Sequence, residues 1–145
     1  MKNLVSQILK TKEGKVWSIA PQETVYKALQ LMSEKDLGAL LVIDKGKVVG
    51  LFSERDYARK VILKGKSSKN TNVSELMTKE VLFVDPGTSV EDCMSLMTEK
   101  RIRHLPVMEK KQLVGLVTQG DVVKQLIADQ KFENEQLERY IHDEC

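Results

Sequence analysis

The sequence predicts a mixed α/β (α+β) protein made of two β-α-β-β-α repeats packed sheet to sheet with pseudo-twofold symmetry. Three observations predict it: an internal duplication, a change of apolar period inside each copy, and matched turn signals. Val16 to Ile62 aligns without a gap on Val81 to Ile127 at a constant offset of 65, and 15 of the 47 pairs are identical. Self-similarity at a fixed offset marks a repeated structural unit. The identities include Pro21/Pro86, Val25/Val90, Leu31-Met32/Leu96-Met97, Leu40/Leu105, Val49-Gly50-Leu51/Val114-Gly115-Leu116 and Asp56/Asp121. A short lead-in also repeats, Val5-Ser-Gln-Ile-Leu against Val73-Ser-Glu-Leu-Met, three residues further upstream in the first copy.

Each copy begins with an extended piece, residues 16–20 or 81–85, ended by proline. A helix follows, with a hydroxyl N-cap at Thr24 in copy one and at Thr88 or Ser89 in copy two. Its apolar stripe, Val25, Ala28, Leu29 and Met32 or Val90, Cys93, Met94 and Met97, has the i, i+3, i+4, i+7 spacing of one helix face. Two apolar runs come next, residues 39–43 with 48–52 and 105–108 with 113–117. They flank Asp44-Lys-Gly-Lys and Glu109-Lys-Lys-Gln, which read as hairpin turns. The runs are almost continuously apolar, so both faces of each sheet are expected to be covered. A second helix ends the copy, with Tyr57, Val61 and Ile62 or Val122, Val123, Leu126 and Ile127 on its inner side. A unit this small is marginal alone, which favours two copies sharing a core.

The expected division is residues 1–65 as the first repeat with its lead-in, 66–130 as the second with linker and lead-in helix, and 131–145 as a solvated C-terminal helical extension. Gly65–Asn72 is the linker candidate. With 41% hydrophobic residues among 145, the chain can form a core. Its 23 basic and 21 acidic residues leave a net charge of +2, too balanced for a general nucleic-acid binder. No apolar run approaches the roughly 18 residues of a membrane span. The first ten residues have no signal or transit character, although a removed transit peptide would leave the same sequence. The two cysteines, Cys93 and Cys145, and two histidines, His104 and His142, form no zinc-spaced pair. Cys93 reads as a small core residue, and the free thiols suit a reducing, cytoplasmic setting.

These features together resemble the tandem CBS-domain pair, or Bateman module. The resemblance is carried by Val73-Ser-Glu-Leu-Met-Thr, Pro86 with Thr88-Ser-Val, Arg103-His-Leu-Pro106-Val, and a strand-to-helix motif Gly-h-h-Ser/Thr-x-x-Asp. That motif occurs as Gly50-Leu-Phe-Ser53-Glu-Arg-Asp56 and as Gly115-Leu-Val-Thr118-Gln-Gly-Asp121. It covers residues 1–130, with Leu41 a mild departure where copy two has Pro106. The resemblance implies a regulatory module that binds an adenosine ligand in clefts between the repeats. AMP is the first choice, with ATP, ADP, NAD(H) or S-adenosylmethionine behind it. It also implies a disc-like homodimer formed through the helices and an unidentified regulated protein. Neither nucleic acid nor membrane is expected as a partner.

The residues give that implication physical content. Ser53 and Thr118 stand where a strand meets a helix, whose free N–H groups suit phosphate. Asp56 and Asp121 follow one turn later, and a carboxylate there can accept ribose hydroxyls. The same Ser/Thr-x-x-Asp spacing is also an ordinary helix cap. In related pairs basic residues of the opposite repeat meet the phosphate. Arg101, Arg103 and His104, with Arg55 beside Asp56, therefore make the Asp56 cleft the more positive one. Gln119 neighbours Thr118 in the other motif. Gly38 and Ala39 stand opposite Asp121 and imply a weaker phosphate grip there. Candidate adenine walls are Val16, Ile19, Leu40, Val81, Val84 and Leu105, each equally readable as core, and Pro106 is a further nucleotide-binding candidate. No catalytic constellation emerges, so an enzyme is not expected. The rival reading is a ligand-independent dimerisation or interaction scaffold. Trp17 and the basic run Arg59, Lys60, Lys64, Lys66 and Lys69 read as packing and solvated surface respectively.

Overall fold

The computed structural model describes residues 3–12 and 16–144 and, in the last helix, side chains as far as residue 137. Readings placed on Cys145 and on the side chain of His142 lie outside the described residues. The chain is a mixed α/β protein with two small sheets. It divides into two compact units, one from Lys15–Val81 and one from Met1–Gly14 with Leu82–Cys145.

In the unit Lys15–Val81, β1 (Ser18–Ile19) runs parallel to β2 (Ala39–Asp44), which pairs antiparallel with β3 (Lys47–Ser53). Helix α1 (Val25–Lys35) crosses from β1 to β2. Its N-cap is Thr24, whose hydroxyl accepts from the Lys27 N–H at 3.2 Å. A short turn of helix, α2 (Glu54–Asp56), opens directly into a π-helical stretch, Tyr57–Ile62. A single turn, α3 (Val73–Leu76), completes the unit. Val25, Ala28, Met32, Leu40, Val42, Phe52, Val61, Val73 and Leu76 form one buried core.

The unit built from both chain ends repeats this plan. Val84 bridges in parallel to Val107 where β1 would lie. Helix α4 (Val90–Lys100) leads to the hairpin of β4 (His104–Glu109) and β5 (Gln112–Thr118). Ser89, not Thr88, is the N-cap: its hydroxyl accepts from the Asp92 N–H at 3.0 Å. Helix α5 (Gln119–Glu144) follows, so residues 131–144 continue one helix rather than forming a separate element. The N-terminal helix α0 (Val5–Thr11) packs here, with Val5 and Ile8 in a core that includes Val90, Cys93, Met97, Leu105, Val107, Val117 and Val122. Burial, with Asp92 nearby, raises the Cys93 thiol to about 11, consistent with an inert core residue.

The duplication survives in the hydrogen bonds. Ala39↔Ser53 through Asp44↔Lys47 matches His104↔Thr118 through Glu109↔Gln112, and the register irregularity falls at Val42/Ile43 and at the corresponding Val107/Met108. Both hairpins turn through two left-handed residues, Lys45-Gly46 and Lys110-Lys111. Lys111, at φ 67°, holds without glycine a conformation that Gly46 adopts freely in the other copy.

The structure departs from the expected division at the lead-ins. Each belongs to the unit of the other repeat. Val73 N–H donates to Glu23 C=O and Ser74 N–H to Pro21 C=O; in the other unit Val5 N–H donates to Thr88 C=O and Ser6 N–H to Pro86 C=O. In return, the first N–H of each long helix finds a lead-in carbonyl, Val25 N–H on Thr71 and Val90 N–H on Asn3, at 2.9 and 2.8 Å. These are the orphan groups of helix starts, and each segment supplies what the other lacks. The linker candidate is part of this arrangement: Thr71 is buried and its hydroxyl donates to Ser67 C=O at 2.7 Å. The second helices also differ from expectation. Val61 and Val122 are buried, but Ile62, Val123 and Ile127 are exposed, because a residue one step past the buried position turns off the inner face.

The glycines conserved between the copies mark where the lead-ins press closest. A Cβ on Gly50 would lie 2.9 Å from Thr78 O and 2.6 Å from Met77 Sδ, whereas one on Gly115 would meet only the tip of Leu9, at 2.5 Å. Backbone cannot yield as a leucine methyl can. Gly50→Ala is therefore expected to destabilise by about 1–3 kcal/mol and Gly115→Ala by clearly less, measured by urea unfolding of the two variants.

Candidate functional site

Each strand-to-helix junction is a closed capping box, but the two acids are held differently. In the unit Lys15–Val81, Asp56 Oδ2 accepts from Ser53 N–H at 3.0 Å and from Ser53 Oγ at 3.1 Å, while Ser53 Oγ accepts from Asp56 N–H at 3.2 Å. Its Oδ1 accepts from Thr78 Oγ1 at 3.1 Å and pairs with Lys60 Nζ at 3.2 Å. Lys60 also donates to Leu76 C=O at 3.1 Å. Asp56 is buried, and both its oxygens are engaged inside the unit. Lys60, read from the sequence as solvated surface, is this acid's ion-pair partner.

In the other unit, Asp121 Oδ2 accepts from Thr118 N–H at 2.9 Å, and Asp121 N–H donates to Thr118 Oγ1 at 3.1 Å. The cation here comes from far away in sequence: Lys12 Nζ lies 2.8 Å from Asp121 Oδ2 and donates to Leu116 C=O at 2.7 Å. The Asp121 side chain keeps 22% of its surface exposed, against 9% for Asp56. Burial pushes the Asp121 carboxyl up, but hydrogen bonds from Lys12 and Thr118 and the Lys12 charge outweigh it and hold the group below its ordinary value. His104 stands across from Thr118 in the hairpin, and Arg103 C=O accepts from Gln119 N–H at 2.9 Å. Burial, then the positive charges of Lys12 and Arg103, push the His104 imidazole down, with Asp121 opposing.

Thr118, Gln119, Asp121, Arg103 and His104 are thus brought together in one unit, and Arg101 sits at the left-handed C-cap of α4 in that unit. Ser53, Arg55 and Asp56 share the other unit with Val16, Ile19, Gly38, Ala39, Leu40 and Val81. Of the candidate adenine walls, Leu40, Leu105 and Val84 are core residues of their own units and Val16, Ile19 and Val81 keep partial exposure; the other site candidates Ala39 and Pro106 are also buried. Gly38 is exposed, and its carbonyl accepts from Glu54 N–H at 3.0 Å. The residues that sequence reasoning missed are Lys12 and Thr78. Both belong to the segments just after the lead-in helices, and no local pattern links them to an acid so distant in sequence. Among the described residues no cluster of three or more metal-type ligands occurs, and no helix is long and apolar enough to cross a membrane.

A duplicated hairpin-and-helix unit with a capped acid at each strand-to-helix junction defines a class of small tandem-repeat domains. The CBS-domain family model matches residues 5–63 and 73–128, and the chain belongs to that family, whose paired domains are generally regulatory, ligand-binding modules rather than catalysts. A CBS-domain protein structure from Burkholderia ambifaria MC40-6 is 49% identical, covers 88% of this chain and 96% of its own, and superposes with a TM-score of 0.86. The CBS domain-containing protein CBSX3, mitochondrial, of Arabidopsis thaliana is 38% identical over 146 residues, covering 94% of this chain and 71% of that protein. The CBS domain-containing protein YhcV of Bacillus subtilis is 33% identical over 118 residues, covering 81% of this chain and 84% of that protein.

Two expectations follow from the geometry. Asp56→Ala removes a cap, an ion pair and the acceptor of the Thr78 hydroxyl, and is expected to cost about 2–3 kcal/mol in denaturant unfolding, with Asp121→Ala costing about 1. A histidine held below its unfolded value favours folding when neutral, so its contribution is present above about pH 6.5 and lost as pH falls through the lower folded value. The wild type is therefore expected to lose stability as pH falls below about 6.5. His104→Gln is expected to flatten that loss; an unchanged slope in thermal melts would remove His104 as its source.

Proposed function

We propose that the chain is a regulatory sensor of an adenosine nucleotide, with AMP the first choice and ATP, ADP, NAD(H) or S-adenosylmethionine behind it. The observation that carries this reading is the contrast between the two acids. Asp121 keeps exposed surface beside the N-terminus of a long helix, with Lys12, Arg103 and His104 around it. A carboxylate in such a place accepts ribose hydroxyls, and the Thr118 hydroxyl, the first N–H groups of α5 and the neighbouring cations suit a phosphate. The Asp56 junction, with Arg55 beside it, is the richer in cations by sequence. Its carboxylate is committed to Ser53, Thr78 and Lys60, so we assign it a mainly structural role and place the ligand-gripping acid at Asp121. Arg101 and Gln119, which belong to the same unit, remain in the proposed contact set. Ligand binding shifts the packing of the molecule or of a homodimer, and a partner protein reads the change.

A ligand-independent dimerising scaffold is the second reading. It is favoured by the internally satisfied Asp56 and by the exposed apolar side chains Ile62, Leu63, Val123 and Ile127. Calorimetric titration of nucleotide-free protein with adenosine, AMP, ATP and NADH separates the two. The sensor is expected to bind AMP at least about tenfold tighter than adenosine, which corresponds to about 1.4 kcal/mol for the phosphate. No binding of any of the four at millimolar concentration would favour the scaffold instead.

A further inference from the structure

Lys12 reaches its acid from the segment just after the lead-in helix, whereas the other unit draws its cation, Lys60, from the helical stretch that follows Asp56. In that unit the carbonyl of Leu51 accepts a backbone N–H, from Thr78 at 2.8 Å. At the equivalent Leu116 the acceptor is filled by the Lys12 ammonium, which at the same time sits on Asp121. One flexible side chain therefore does two tasks: it closes the sheet edge at β5 and covers the carboxylate. Both named bonds to the Asp121 side chain, from Thr118 N–H and from Lys12, fall on Oδ2. A vicinal diol that grips both carboxylate oxygens, one hydroxyl on each, competes with the ammonium at Oδ2. The Thr118 N–H is fixed by the helix start and cannot leave. The lysine can, because its side chain is 35% exposed and its stem is long.

We propose that Lys12 is an internal latch: its ammonium occupies Asp121 when no ligand is bound, and a ribose must displace it, loosening the C-terminal end of α0. The proposal rests on the reading that Asp121 takes a ribose. The consequence is a physical route from the site to the N-terminal helix. The Lys12 N–H donates to Ile8 C=O at 3.0 Å, so the latch residue is also the last hydrogen-bonded residue of that helix. Ile8 lies in the core of the unit, and Leu9 presses on Gly115 of β5. Releasing the ammonium removes a polar tie between the end of α0 and the strand-to-helix junction.

The test uses the isotope-labelled full chain and reads the Thr118 and Asp121 amides while adenosine or AMP is added. Lys12→Met keeps the stem and removes the charge. It is expected to tighten adenosine binding at those amides by up to about fivefold, the range of a half-exposed ion pair. Lys12→Arg, which keeps the charge, is expected to bind as the wild type does. Hydrogen exchange at the Thr11 and Lys12 amides is expected to speed up on ligand addition in the wild type and to be fast already in Lys12→Met. Unchanged or weaker adenosine binding in a folded Lys12→Met variant would overturn the latch while leaving the sensor reading intact. Should neither ligand move the Thr118 and Asp121 amides of the wild type, both fall together.

Discussion

The fold depends on an exchange of backbone hydrogen bonds at two helix starts. A helix begins with N–H groups that its own turns cannot satisfy, and a short segment of some 50 residues has little spare backbone to offer. Here the solution is reciprocal. The carbonyls of Asn3 and Thr71 take the first N–H of α4 and α1, and the carbonyls just before those helices take the N–H groups of the lead-ins. Because each lead-in serves the repeat it does not precede in spacing, the chain must begin in one unit, build the other, and return. Neither compact unit is a contiguous repeat with its own leader. The glycine at the centre of each second hairpin strand follows from the same cause, since the strand must leave room for the segment laid against it.

The same segments determine what each acid can do. Residues immediately after a lead-in helix arrive beside the strand-to-helix junction. In one unit that position delivers Thr78, a short side chain that pairs through its backbone with Leu51 and spends its hydroxyl on Asp56. In the other it delivers Lys12, a long side chain that performs the edge contact and the carboxylate contact with one ammonium. The first arrangement is compact and buried, with a second donor from Lys60 one helical turn away. The second leaves its acid more exposed. Two motifs of the same spacing thus end with different chemistry, and the acids' distinguishing partners, Thr78, Lys60 and Lys12, lie outside both motifs.

This accounts for what could and could not be read from the sequence. The duplication, the helices, the strands and both two-residue turns were legible because each rests on spacing within a few residues: the stripe Val25, Ala28, Met32 and its counterpart Val90, Cys93, Met97 are local facts. The capping alternative for Ser53-x-x-Asp56 was legible for the same reason. The crosswise lead-ins were not, since an unbroken chain gives no sign that Val5 packs with Val90 rather than with Val25. Nor were Lys12 and Thr78, whose partners lie 109 and 22 residues away. The exposed Ile62, Val123 and Ile127 failed differently: an apolar residue beside a buried one satisfies a hydrophobic pattern without lying on its face.

Motif counting would rank the two junctions by charge, and by that measure the one beside Arg55 comes first. Geometry ranks them by what the carboxylate still has to give. A buried acid with four donors is costly to disturb, because any incoming hydroxyl must replace a bond already made and leave Thr78 or Lys60 unsatisfied. A half-buried acid held by one fixed N–H and one long lysine exchanges the lysine at smaller cost, because the displaced ammonium returns to water. Net positive charge near a site governs how a phosphate is attracted to it; the replaceability of the existing partner governs whether a sugar can be gripped there at all. In this chain those two criteria point to different repeats, and it is the second on which our proposal of Asp121, not Asp56, as the ligand-gripping acid rests.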